Sequence, residues 1–75
     1  MAEERRSKCA RKMALLSDVR AAMDALMSIH NDEVTALLNE DFDRITELRI
    51  KLQTARERKA GLIELYRDHV TSHGC

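Results

Sequence analysis

The sequence predicts an all-α fold, a long antiparallel two-helix hairpin, on three observations. Apolar residues recur at alternating steps of three and four along both halves of the chain, the period of a helix face rather than of a strand. The 75 residues include no proline and two glycines, too little punctuation for sheets or multi-loop folds. Aromatic content is 3 %, with no tryptophan, so a core has to come from Leu, Ile, Val, Met and Ala. That is the composition of bundles and coiled coils.

In the first half, Leu15, Val19, Ala22, Leu26 and Ile29 form one stripe. Leu16, Met23, His30 and Leu37 run beside it at sevens and widen the apolar face beyond about 100°. Asp18, Asp24, Ser28 and Asn31 fall on or near the other side. The pattern predicts a helix over residues 3–38, because Val34, Leu37 and Leu38 continue it without a change of phase. Beyond Asn39 it restarts, with Asn39 suited to a left-handed residue and Asp41 to a helix cap.

The second half carries Ile45, Leu48, Leu52, Ala55, Lys59, Leu62, Tyr66, His69 and His73 along a single seam, predicting a helix over residues 41–72 that Gly74 closes. Each helix is then about 50 Å long at 1.5 Å per residue. A break at Asn31-Asp32, with Asp32 capping a third helix, is the alternative architecture.

Folded near residue 40, the hairpin brings together residues whose numbers sum to about 80. Ala21, Ala22 and Ala25 then face Ala55 and Ala60, allowing close approach. Leu15 and Leu16 meet Tyr66, and Leu26 to Ile29 meet Leu52 and Ile50. The seam places Lys59 with its stem over Ala21 and Ala22 and its ammonium toward Asp18 or Asp24.

A single domain of this size, residues 1–75, buries too little apolar surface to be comfortably stable alone. The open flank of each seam calls for further burial, and dimerisation into a four-helix bundle supplies it. Docking onto a helix of another protein would do the same. The surface expected to act is Met23, Met27, His30, Leu48 and Leu52, with a back strip of Ile50, Thr54, Gly61 and Leu65. Met13 and its fellow methionines suit either gap filling or an adaptable surface. Gly61 costs roughly 1 kcal/mol inside a helix relative to Ala, which a closely approaching neighbour would explain.

Chemistry-bearing residues gather at the open end. His69 and His73 are four apart, the spacing of helical zinc ligands, with Cys75 following and Cys9 opposite about residue 71. A Cys2His2 zinc site or a Cys9–Cys75 disulfide are the sharp readings, and solvated or dipole-favoured residues the plain one. His30, within the apolar face, reads as a core or interface histidine. No carboxylates pair on a seam as acid-base catalysis needs, and no Glu-x-x-His motifs of di-iron bundles occur. The expectation is no enzyme and no cofactor, with zinc as the alternative.

Thirteen basic and thirteen acidic residues balance. Arg5, Arg6, Lys8, Arg11 and Lys12 cluster at the start and acids from Asp32 to Glu47 dominate the middle. Without interleaved aromatics the basic cluster lacks a stacking platform for nucleic acid, which is the third-ranked partner. The start has no apolar signal region, and no run approaches the roughly 18 apolar residues of a membrane span. The sequence therefore predicts a cytoplasmic, non-enzymatic helical interaction module, an adaptor, chaperone or regulator working by homodimerisation or helix docking. A metal-binding or thiol-sensing protein is the runner-up.

Overall fold

A computed structural model describes the backbone of residues 2–73 and the side chains of residues 10–72. It contains two helices, α1 (Ala2–Leu38) and α2 (Phe42–His73), packed side by side as an antiparallel hairpin. The molecule measures 58 × 14 × 11 Å, one helix pair thick. Helix α1 runs unbroken through Asn31 and Asp32, so the three-helix alternative does not hold. The Thr35 hydroxyl even donates back to the Asn31 carbonyl at 3.2 Å, within the same helical turn.

The turn is three residues long because one residue serves both helices. The Asn39 amide still donates to the Thr35 carbonyl, which carries the helical pattern one residue past Leu38. The Glu40 amide then donates to Leu37 and the Asp41 amide to Ala36 at 2.9 Å, the paired bonds of a Schellman closure. In that motif the left-handed residue is the one after the cap, and here it is Glu40, with φ 54°. This corrects the expectation for Asn39, which the extra helical bond keeps right-handed. Asp41 then turns to α2, where its Oδ1 accepts the Arg44 amide at 3.2 Å as an N-cap. Asp43 adds negative charge to the first turn, where the helix dipole favours it.

The core is a single row. Leu15, Val19, Ala22, Leu26 and Ala36 of α1 and Leu48 and Leu52 of α2 are buried, with Leu48 the most enclosed at 1 % exposure. Ala21, Ala22 and Ala25 line a groove of about 300 Å³ with Ala55 and Arg58, which fixes the register at the expected sum. Toward the open end, Ala55, Lys59, Leu62, Tyr66 and His69 of the α2 seam are only half-buried. Among the described residues the buried set is seven side chains, two of them alanines. So short a core leaves little margin over the entropy of ordering two long helices.

Candidate interaction surface

Helix α1 carries two apolar stripes, and α2 covers one of them. The buried stripe is followed, one residue on and therefore about 100° round the helix, by a second. Its members are Met13, Leu16, Arg20, Met23, Met27, His30, Val34 and Leu37, at alternating steps of three and four over some seven turns. All eight are exposed, with Met27 at 64 %, Met13 at 62 %, Leu37 at 58 % and Val34 at 57 %. A shallow trough of about 440 Å³ follows its first half, lined by Met13, Leu16, Ser17, Val19, Arg20 and Met23. Six large apolar side chains in one line exceed the scattered exposure of an ordinary surface.

The flanking charge is uneven. On antiparallel helices the positions one residue past each seam share a face of the hairpin. On α2 these include Arg49 and Arg56, both exposed and neither in an ion pair within the described residues. Arg67, on the same flank, pairs with Glu64 at 3.5 Å, and Arg44, on the opposite flank, with Glu47 at 3.2 Å; both are exposed pairs of small energetic weight. The opposite face carries a polar depression beside the turn, lined by Asp32, Thr35, Ala36, Asn39, Asp41 and Arg44.

The structure separates the expected interaction residues into three groups. Met23 and Met27 lie on the open stripe. Leu48 and Leu52, at 1 % and 8 % exposure, lie in the hairpin core, which corrects their placement on an open flank. The reason is that α2 has one continuous apolar seam, and covering α1 uses it up. Leu16, at 42 % exposure, and Ile50, at 67 %, likewise stand outside the core pairs expected of them.

Of the core and interface readings of His30, the structure excludes the core. Its side chain is half exposed and its Nδ1 lies 3.2 Å from Glu33 Oε1, one turn along. Glu33 itself occupies the buried stripe between Ile29 and Ala36. Its Oε1 is buried and accepts no aligned hydrogen bond, so the His30 approach is an ion-pair distance without hydrogen-bond geometry. The sequence reading carried the apolar pattern past this position on Val34, Leu37 and Leu38 and so missed this polar interruption of the core. Lys59 is half-buried as expected, yet it forms no ion pair with Asp18 or Asp24 among the described residues.

The back strip is discontinuous. Ile50 and Leu65 are exposed but lie about 22 Å apart along α2 at 1.5 Å per residue, with Lys51, Glu57 and Arg58 between them. The Thr54 hydroxyl turns back to the Ile50 carbonyl at 3.3 Å. A Cβ built on Gly61 meets nothing within 4 Å, so no neighbour in the hairpin accounts for the glycine.

Of the four candidate metal ligands, His69 is half-buried on the α2 seam. Cys75 and the side chains of Cys9 and His73 lie outside the described residues, as do the side chains of Arg5, Arg6 and Lys8. Among the described residues no three His, Cys, Asp or Glu side chains converge on a metal-sized site. Arg11 is exposed and Lys12 half-buried. No helix is long and apolar enough to cross a membrane among the described residues. Comparison of the chain with protein-family models, curated proteins and solved structures gave no match.

Proposed function

We propose that the protein is a non-enzymatic helical interaction module whose working surface is the open stripe of α1. The observation that carries this reading is the stripe's continuity. Met13, Leu16, Met23, Met27, Val34 and Leu37 repeat the spacing of the buried seam, one residue out of phase, and all are exposed. A helix with two apolar seams about 100° apart has the pattern of a helix touching two neighbours, and α2 supplies only one. The second seam fits another amphipathic helix laid along it. Three of its apolar positions are methionine, whose unbranched thioether adapts to a partner's shape at small cost.

The short core supports the same reading, since burial on the second seam adds stability that the hairpin alone lacks. The test is site-specific photo-cross-linking in the producing cells, with the reactive side chain at Met27 and, as a control, at Glu57 on the far side of α2. Adducts are expected from position 27, lost when Met23→Glu is added, and not from position 57. Equal labelling at the two positions, or none at 27, sinks the reading.

A further inference from the structure

Two features bear on what lies on the open stripe: its own symmetry and the charge along the hairpin. Taken together they point to one occupant. We infer that a second copy of this chain covers the stripe, the two α1 helices packing antiparallel about a two-fold axis at residue 25. This rests on the docking reading above and goes further by naming the partner.

The first argument is self-complementarity. In an isologous contact residue i meets residue j while j meets i. Antiparallel pairing about residue 25 matches positions whose numbers sum to about 50. Met13 then meets Leu37 of the copy, Leu16 meets Val34, and Met23 meets Met27. The two polar interruptions, Arg20 and His30, are five residues either side of the axis and so meet each other instead of burying against an apolar side chain. Every apolar position faces an apolar position. Six half-exposed side chains present roughly 500 Å² per chain, so two copies bury about 1,000 Å², the lower bound for a specific interface.

Charge chooses the orientation. The start of α1 is basic, with Arg11 and Lys12 followed outward in sequence by Lys8, Arg6 and Arg5. The turn end is acidic, with Glu40, Asp41 and Asp43 exposed around it. Antiparallel pairing lays each basic start over the other copy's acidic turn, twice per dimer. Parallel pairing would set basic on basic and acid on acid. The same pairing gives the exposed Leu38 and Phe42, at 80 % and 68 %, a neighbour at the copy's Met13 end.

The experiment combines sedimentation with spin-label distances on the full chain carrying Cys9→Ser and Cys75→Ser, labelled singly at Ser17→Cys, Asp24→Cys or Asn31→Cys. All three sites are exposed beside the stripe. A dimer is expected, with axial label separations of about 24 Å at 17, about 3 Å at 24 and about 18 Å at 31. Its dissociation constant is expected to rise with salt. Arg11→Glu with Lys12→Glu should weaken it about tenfold, and adding Glu40→Lys with Asp43→Lys should restore it. A monomer into the high micromolar range, equal separations at all three sites, or no rescue by the reversed pair overturns the inference. The docking reading falls separately, on silence of the Met27 cross-link; Met27 adducts with other proteins alone would keep it and end self-pairing.

Discussion

Leu26 and Met27 are adjacent in sequence and opposite in environment, at 8 % and 64 % exposure. They stand for the two stripes of α1. The buried stripe is built from Leu, Val and Ala, residues of fixed shape that let α2 approach closely; the open one is half methionine among its apolar members. One residue of phase, about 100° of rotation, decides which stripe is core. Apolar pattern alone thus marks the faces of a helix that suit a neighbour. It does not say which neighbour is in the same chain.

Paired truncations separate the two stripes most visibly. Leu26→Ala leaves a cavity between the helices and should lower stability by about 2–5 kcal/mol, much of what a small domain has. Leu48→Ala, at the most enclosed position, should fall at the upper end of that range. Met27→Ala should change the stability of the single hairpin by less than about 0.5 kcal/mol while weakening whatever docks on the open stripe. Chemical denaturation at low protein concentration reads the first effect, and the same melt at high concentration reads the second. Equal losses at 26 and 27 in dilute protein would erase the distinction between the stripes.

Glu33 sharpens the contrast from inside the core. It holds a buried-stripe position, and its Oε1 is enclosed without an aligned donor, with His30 Nδ1 3.2 Å away. An unsatisfied buried acceptor costs about 1–3 kcal/mol. Glu33→Leu, which completes the stripe between Ile29 and Ala36, should therefore raise the unfolding midpoint by an amount equivalent to about 1 kcal/mol. A fall in stability would mean that the carboxylate is better satisfied than its geometry shows.

Much of this architecture was legible in the residues, for identifiable reasons. The phase restart after Asn39 located the turn, and Asp41 was readable as a cap because an aspartate three residues before an available amide has few better uses. Residues of both stripes of α1 stood out, the second as a run at sevens, but they were read as one widened apolar face. What could not be read was their assignment. Leu48 and Leu52 were placed on an open flank although α2 offers no second continuous seam to cover α1, while the reading that paired Leu52 with Leu26 in the core agrees with their burial. The left-handed Glu40 was missed because propensity favours Asn at such a position, whereas the outcome was set by one more helical hydrogen bond from Asn39 to Thr35. The candidate ligands Cys9, His73 and Cys75 are joined only by the register of the hairpin, with no local motif to anchor them.

A stabilising substitution is expected on the face that neither stripe occupies. Gly61 lies mid-helix in α2, exposed, with open space where a Cβ would sit. Glycine there raises the entropy lost on folding without permitting any close contact in the hairpin. Gly61→Ala should stabilise the protein by about 0.8–1 kcal/mol, read as a small upward shift in the thermal midpoint. Because the substituted methyl meets nothing in the hairpin, the gain should be the same in dilute and concentrated protein if docking uses only the α1 stripe. A gain in dilute protein that vanishes on concentration would show a second helix pressing on this face, and would return the back of α2 to the list of working surfaces.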